Sequence, residues 1–321
     1  MTKAKLSEKI GYGFGDMSSS MFWKIFSYYL PFFYSNIFGL SLAHAGTLLL
    51  VTKLYDAISD PVMGLIADRT STRWGKYRPY LLWIALPFAI AGILAFYTPQ
   101  TDNYTFKHIY AYVTYILMMT VYTAINVPYG AMLGVVTDDS REKSVFSSFR
   151  MFFAFIGSFI SMGIFEPLLR LRSSIMGTLP EKWTIADSAP VDWTIALTVI
   201  GAICAILFFL TFAMTREHVT ESEMAKAEKT HKEEKKNSIM EDLKALFCNA
   251  PWWLLLGGGI SLLLFNCIRG GAAAYYFADV LGVKAIYTLA IFLTVGEISQ
   301  LVGVVVTVPV SEKIGKKATF I

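Results

Sequence analysis

Long apolar runs alternate with short basic segments along most of this sequence, and that pattern leaves few folds open. A helix needs about 20 predominantly apolar residues to cross a bilayer, and eight runs reach that length. Lipid offers no hydrogen-bond partners, so a spanning segment must satisfy its backbone within a helix or a closed barrel. An all-α polytopic membrane protein is therefore predicted. Its spans are placed at approximately residues 11–38, 44–67, 79–98, 107–136, 145–169, 192–214, 251–280 and 285–310.

Composition narrows the functional classes. Hydrophobic residues make up 55% of the chain and charged residues 16%, whereas soluble domains carry about 25% charged residues. The net charge of +4 is spread in short blocks between apolar runs, so no nucleic-acid partner is expected. Three cysteines at scattered positions predict neither a disulfide framework nor a metal site. No HExxH, GxSxG or phosphate-binding loop occurs, and neither an enzyme nor a cofactor is expected.

Basic residues also predict the orientation across the membrane. Cytoplasmic segments of membrane proteins carry an excess of Lys and Arg. Nineteen basic residues lie in the segments on the side of the N-terminus, and five lie on the other side. A cytoplasmic N-terminus is therefore predicted. The N-terminal stretch lacks a small-residue cleavage site and is taken as part of the mature chain.

A charged segment divides the chain into two parts. Residues 1–215 are predicted to form a six-helix bundle, residues 216–250 a solvated cytoplasmic linker or a regulatory surface, and residues 251–321 part of a second bundle. The segments "TSTRWGKYRP" and "VSEKIGKKAT" follow the second and eighth spans, six spans apart. Parallel six-helix halves are typical of one transporter architecture with twelve spans. The chain is accordingly expected to contain about eight of twelve transmembrane helices.

Two carboxylates stand inside the second span. A charged residue at mid-bilayer costs about 2.5–3.5 kcal/mol, so such residues are usually functional. Asp56 and Asp60 are four residues apart and share one helix face, with Lys53 on the same side. Two such carboxylates need a cation in a low-dielectric site. A proton, the Lys53 ammonium and a bound alkali metal cation all satisfy that need, and an interhelical salt bridge is the structural alternative.

Prolines add oxygen atoms beside these carboxylates. Pro61 cannot donate a hydrogen bond to the carbonyl of Ala57, so this oxygen and the Ser59 hydroxyl are candidate ligands of a hard cation. The fourth span repeats the arrangement, with Thr123 and Asn126 before Pro128. These groups are expected to face the second span. Polar contacts that only hold helices together are the alternative.

Further polar residues interrupt the apolar runs. Asp16, Ser20 and Lys24 follow one another at intervals of four and form a stripe on the first span. Arg150 lies about one turn inside the fifth span, where snorkelling to the interface is an alternative to a functional role. Arg269 lies in the seventh span and is interpreted either as a donor lining a pore or as an ion-pair anchor.

These motifs resemble those of a known family. "YDAISDPVMGLIADRTSTRWGKYRP", "GYGFGD", "NVPYGAMLGVVTDDSREK" and Arg150 resemble the glycoside–pentoside–hexuronide:cation symporters, a branch of the major facilitator superfamily. The resemblance covers the whole chain and is strongest over residues 9–160. It implies a cation site at Asp56, Asp60, Ser59 and Thr123. If the coupling cation is an alkali metal ion, Asp56 and Asp60 are its expected ligands.

The resemblance also implies a sugar site. Arg150 matches a residue that contacts sugar, whereas Ser20 and Asn126 stand where galactoside carriers have carboxylates. An α-galactoside is therefore not expected. Lys24, Arg150 and Arg269 make the expected cavity positive, which favours a uronate or another anionic glycoside. An inner-surface gate of ion pairs is expected at Asp68, Arg69, Arg73, Lys76 and Arg78, where charges that only set topology are the alternative.

The function predicted from these features is secondary active transport. A sugar, glycoside, pentoside or hexuronide would be carried with Na⁺ or H⁺ by alternating access. The expected partners are the sugar, the coupling cation and the lipid bilayer of the inner membrane, with a monomer as the working unit. Two alternatives remain. A lysolipid or amphiphile carrier would show a wide lipid-open cleft, and a non-transporting sugar sensor would tolerate loss of the cation-site carboxylates.

Overall fold

The structure of the chain is a computed structural model. It describes residues 5–178, 180, 183–217, 247–280, 289, 291–296, 298–299, 302–303 and 306. In these residues the regular structure is helical, which confirms the predicted fold class. The α-helices with defined bounds are α1 (Leu6–Phe32), α2 (Leu42–Asp68), α3 (Arg78–Trp83), α4 (Ala85–Ala95), α5 (Tyr104–Val136), α6 (Ser140–Ile175), α7 (Pro190–Met214) and α8 (Ala250–Tyr275). Short π-helical turns, Phe33–Ile37 and Tyr276–Val280, extend α1 and α8, and a 3₁₀ turn, Ile185–Asp187, precedes α7.

In the described residues, the first seven predicted spans are helical, with one break in the third. By length and composition, four helices in the described residues are able to cross a membrane, at Tyr104–Val136, Glu142–Ile175, Pro190–Met214 and Pro251–Ala273. The third span is divided into α3 and α4 at Ile84. Pro87 accounts for the break, because its ring excludes the carbonyl of Trp83 and donates no hydrogen bond to it.

Some predicted segments lie outside the described residues. Residues 218–246 of the charged linker lie outside the described residues, and so does the basic segment after the eighth span. The eighth span is described only at scattered helical positions between residues 289 and 306. The proposed division into residues 1–215, 216–250 and 251–321 therefore stays a prediction.

Side-chain caps define where the site helices begin. Ser41 precedes α2, and its Oγ accepts a hydrogen bond of 3.3 Å from the backbone N–H of His44. Asn103 precedes α5, and its Oδ1 accepts one of 3.1 Å from Phe106. Both residue types are preferred at this position because they satisfy an otherwise unpaired N–H of the first turn.

Helix α1 is the central element of the described bundle and packs along α6 and α7. Small residues permit the close approach. The Ser18 hydroxyl donates a hydrogen bond of 3.1 Å to the carbonyl of Cys204 on α7. A Cβ added at Gly157 of α6 would lie 2.5 Å from the carbonyl oxygen of Met17. Glycine is therefore required where α6 crosses α1.

Helix α2 lies at the edge of the bundle and packs mainly on α5. Its fully buried residues are few, namely Ala45, Leu48, Thr52 and Ala67. Large apolar side chains such as Leu54, Ile58 and Leu65 are exposed on its other surfaces. This placement leaves the charged middle of α2 between the α5 contact and an open face.

Helix α8 meets the bundle through the second half of α1. The Ser35 hydroxyl and the Tyr275 hydroxyl are 2.8 Å apart, and the rings of Phe32 and Tyr275 are 5.6 Å apart. A Cβ added at Gly270 would lie 2.6 Å from the Tyr28 ring. Helices α1 and α8 therefore touch at the end of α1 that is distant from the N-terminus.

Candidate cation-binding site

Asp60 and Thr123 connect the two helices that carry the predicted site. The Thr123 hydroxyl on α5 donates a hydrogen bond of 2.8 Å to Oδ1 of Asp60 on α2. Thr123 is buried, whereas Asp60 is exposed. The structure thus brings together the two helices whose proline-containing motifs were expected to face each other. The Asp60 carboxylate remains accessible beside the Thr123 hydroxyl.

Asp56 lies one turn before Asp60 and has a different environment. Its Oδ2 is 3.2 Å from Nζ of Lys53, and the Lys53 side chain is 50% exposed while that of Asp56 is 17% exposed. Its Oδ1 is buried and has no hydrogen-bond partner among the described residues. Buried polar atoms are rarely left unpaired. A carboxylate oxygen in this state is a suitable ligand for a small cation.

The other predicted cation ligands contribute less directly. The Ser59 hydroxyl donates to the carbonyl of Asp56 at 3.4 Å, within its own helix. Pro61 lies inside α2, and the helix continues past it. The carbonyl of Ala57 lacks its usual donor because of Pro61. The best candidate oxygen ligands for a cation between α2 and α5 are therefore the two carboxylates and the Thr123 hydroxyl.

Asn126 lies one turn after Thr123 and contacts α1. Its Oδ1 accepts a hydrogen bond of 2.7 Å from Ser19, and its Nδ2 donates one of 3.0 Å to the carbonyl of Tyr122. The sequence pattern selected Ser20, which is half-buried. Ser19, and not Ser20, forms the hydrogen bond with Asn126. The run of three consecutive serines, Ser18–Ser20, is the only local indication of this contact in the sequence.

Arg150 on α6 forms an ion pair with Asp16 on α1. Its Nε is 3.1 Å from Oδ2 of Asp16, whose side chain is 13% exposed. The guanidinium carbon is 5.4 Å from the centre of the Tyr129 ring. The positive charge of Arg150 is therefore compensated, and it does not add to the net charge of a cavity as the sequence argument assumed.

The remaining predicted basic residues lie where α1 approaches α8. Nζ of Lys24 is 5.6 Å from the centre of the Tyr28 ring. Arg269 precedes Gly270, which packs on that same Tyr28 ring. Arg269 also lines a cavity of about 570 Å³ with Phe277, Ile291, Phe292, Val295, Gly296 and Ser299. Lys24 lies eight residues after Asp16 on α1, which is about 12 Å along the helix axis.

The loop between α2 and α3 holds one of the predicted ion pairs. Nζ of Lys76 is 3.2 Å from Oδ1 of Asp68, and the Tyr77 hydroxyl donates to the same oxygen at 2.6 Å. The Tyr77 hydrogen bond, with a smaller contribution from Lys76, holds the pKa of Asp68 below its usual value. Asp68 is therefore anchored to its own loop in this conformation.

The arginines of this loop make other contacts. Arg78 donates from Nη2 to the carbonyl of Phe212 at 2.7 Å, at the end of α7. The Arg73 guanidinium lies 4.4 Å from the Trp74 ring centre, and Arg69 is exposed at the end of α2. The described part of the loop thus contains backbone and aromatic contacts as well as the Lys76–Asp68 pair.

Glu217 is a residue that sequence reasoning missed. Its carboxylate accepts backbone hydrogen bonds of 2.8 Å from Lys76, 2.8 Å from Tyr77 and 2.9 Å from Arg78. Gly75 has a φ of 114°, and a Cβ there would lie 2.5 Å from the Glu217 carboxyl carbon. Only the fold brings the end of α7 to this loop, so the sequence carried no local signal for the contact.

Replacing Glu217 by Ala is expected to loosen the α2–α3 loop. Hydrogen bonds to a charged group contribute about 1.5–3 kcal/mol each, so amide exchange of residues 76–78 should accelerate about 10- to 100-fold. Hydrogen–deuterium exchange of the purified protein measures this. Arg216→Ala changes the exposed neighbour and is the control. Equal exchange rates in the two variants would contradict the assigned contact.

Comparisons with known proteins show the family to which the chain belongs. A family described as "MFS/sugar transport protein" matches residues 11–321 of the chain. The chain belongs to the MFS/sugar transport family. The resemblance to cation-coupled sugar symporters that the sequence motifs carry is therefore confirmed, and members of this family are transporters. The chain is accordingly a multi-pass membrane protein.

Curated relatives in this family include several named symporters. The putative glycoside/cation symporter YagG of Escherichia coli (strain K12) is 38% identical over 94% of this chain and 60% of its own length. The inner membrane symporter YicJ of the same organism is 34% identical over 96% of this chain and 61% of its own length.

The isoprimeverose transporter of Lactiplantibacillus pentosus is 32% identical over 98% of this chain and 61% of its own length. The chain thus spans about 60% of the length of these curated relatives.

Proposed function

We propose that this protein carries a sugar, glycoside, pentoside or hexuronide across the inner membrane together with a cation, Na⁺ or H⁺. The observation that carries the proposal is the Thr123–Asp60 hydrogen bond of 2.8 Å between α5 and α2. It lies one helical turn from Asp56, whose Oδ1 is buried without a partner in the described residues. Relatives named as glycoside/cation and isoprimeverose carriers support the same assignment.

The cation has a defined electrostatic role in this proposal. Asp56 and Asp60 carry two negative charges one helical turn apart, and Lys53, which pairs with Asp56, compensates one of them. A monovalent cation or a proton removes the remaining charge. Carboxylate and hydroxyl oxygens are the ligands that hard cations prefer. Binding would therefore stabilise the contact between α2 and α5, with Asp60 and Thr123 as shared ligands and Ser59 at the edge.

The sugar is proposed to bind next to the cation. Asn126 lies one turn from Thr123 on α5, and Ser19 fixes its amide through a hydrogen bond. Arg150, held by Asp16, supplies donors on the facing helix α6. Amides and guanidinium groups of fixed orientation suit sugar hydroxyls. Cation binding that orders α5 would orient Asn126, and the coupling must then be reciprocal between the two ligands.

Alternating access is proposed to use the two bundles. In this scheme the N-terminus is cytoplasmic, residues 216–250 link the bundles, and α8 begins the second bundle. The contact of Ser35 with Tyr275 then closes the outer side, while the inner loop at Asp68, Arg69, Arg73, Lys76 and Arg78 marks the opposite side. Separation of α1 from α8 would open the path to the exterior.

A ligand screen tests the proposed function. We expect the full-length gene product to take up a pentose-containing or other glycoside several-fold faster with a saturating coupling cation than without it. Uptake into cells is measured with a panel of radiolabelled neutral glycosides and uronides, with and without Na⁺, at two pH values. Uptake of no panel member, or uptake that ignores both Na⁺ and pH, would contradict the proposal.

Within this substrate class, one observation favours a hexuronide. Arg269 has no carboxylate partner among the described residues and lines the cavity of about 570 Å³. A uronate carboxylate fits a guanidinium through two parallel hydrogen bonds. Replacing Arg269 by Gln should then reduce affinity for a uronide at least about tenfold and leave that for its neutral parent unchanged. Equal losses for both sugars would rule out this role.

A further inference from the structure

Lys53 is held between two partners that attract its ammonium group. Nζ lies 3.2 Å from Oδ2 of Asp56 on the same helix. It also lies 4.3 Å from the centre of the Trp23 ring on α1. An aromatic face attracts a cation through its quadrupole, most strongly in the case of Trp. The ammonium can therefore leave the carboxylate without losing all of its favourable contacts.

The Trp23 ring is itself fixed in place. Its centroid lies 5.3 Å from that of Tyr122 on α5, and Tyr122 directly precedes the cation-site residue Thr123. Helices α1, α2 and α5 thus meet at this point. A shift of the Lys53 side chain here would take place at the surface of the Trp23 ring, which contacts the residue next to Thr123.

The two oxygens of Asp56 are in different states. Lys53 occupies Oδ2, while Oδ1 is buried and unpaired in the described part of the chain. We propose that Lys53 is a tethered counter-cation that competes with the coupling cation for Asp56, and that Trp23 receives its ammonium when the coupling cation binds. This inference rests on the proposed cation site at Asp56 and Asp60.

Such competition would set the affinity of the site. With Lys53 present, the two carboxylates carry a net charge of −1, which one monovalent cation neutralises. Without Lys53, the same cation would meet a charge of −2 and bind more tightly. A neighbouring charge shifts the binding of a proton to a carboxylate by about 1–3 pKa units. Lys53 is half exposed, so the lower end of that range applies to the binding of the coupling cation.

Replacing Lys53 by Gln is expected to lower the dissociation constant for ²²Na⁺ about tenfold, because the competing charge is removed. Lys53→Arg keeps the charge and should remain close to the wild type. Equilibrium binding to the full-length protein in detergent measures both. Unchanged or weaker Na⁺ binding by Lys53→Gln would overturn the inference.

Two further measurements keep the outcomes distinct. The Trp23 emission, obtained as the difference between wild type and Trp23→Phe, should change when Na⁺ saturates the unsubstituted protein. No change at saturation would refute displacement without relying on any Lys53 variant. Asp56→Asn reports on the proposed function itself. If this variant binds Na⁺ as the wild type does, the cation site is wrongly assigned and not only the role of Lys53.

Discussion

Replacing Asp60 by Asn is expected to weaken Na⁺ binding and cation-stimulated uptake by at least about tenfold, and by more if Asp60 is a direct ligand. Even residues that only support a ligand cost about 10- to 100-fold in metal affinity. The change removes one negative charge and keeps the shape of a side chain that accepts the 2.8 Å hydrogen bond from Thr123. Equilibrium binding of ²²Na⁺ and sugar uptake with and without Na⁺ or a proton gradient measure the loss.

Two variants calibrate this result. Thr123→Val removes only the hydroxyl and should cause a smaller loss, because Asp60 keeps its charge. Asp102→Asn removes one carboxylate from the exposed loop before α5 and should leave cation dependence as in the wild type. An Asp60→Asn protein with unaltered dependence on both Na⁺ and pH would refute the assignment of Asp60.

Replacing Gly157 by Val is expected to lower the stability of the helix bundle by about 1–3 kcal/mol, the usual cost of overpacking. Even the first added carbon would lie 2.5 Å from the Met17 carbonyl oxygen on α1. Backbone atoms of a packed helix cannot yield as a flexible side chain does. The α1–α6 contact would therefore have to separate, and the thermal unfolding midpoint of the purified protein should fall.

Gly163→Val is the matched control on the same helix. A Cβ at Gly163 meets no atom within 4 Å in the described structure, and its backbone is helical like that of Gly157. Both variants change helix propensity in the same way, so the difference between their midpoints isolates the crowding at α1. Similar midpoints for the two variants would show that α1 and α6 do not cross this closely.

The sequence predicted the helical class and the pairing of α2 with α5 for physical reasons that act locally. Apolar runs of bilayer length must be helical, and the spacing of Thr123 before Pro128 identified the face that contacts Asp60. The break of the third span at Ile84 could also have been predicted, because Pro87 is present in the sequence. The segment is apolar throughout, so it was predicted as one continuous span, although Pro87 interrupts the backbone hydrogen bonds of the helix.

Other features depend on helix rotation and long-range contact. Ser19 and Ser20 are adjacent, and only the packing angle of α1 decides which of them faces Asn126. The sequence could not show that the charge of Arg150 is compensated, because its partner Asp16 is 134 positions away on another helix. Glu217 likewise reaches the loop at residues 76–78 across 140 positions. Such pairings arise from the fold and leave no periodic pattern.

The proposed transport depends on a monovalent cation that binds at Asp56 and Asp60. Thallous ion scatters X-rays anomalously and substitutes for alkali cations, so it locates such a site directly in crystals of the full-length protein. We expect an anomalous peak in contact with both carboxylates and close to the Thr123 hydroxyl, which disappears when Na⁺ is added in excess. A Na⁺-sensitive peak elsewhere, with both carboxylates well ordered and far from it, would contradict a cation site at Asp56 and Asp60.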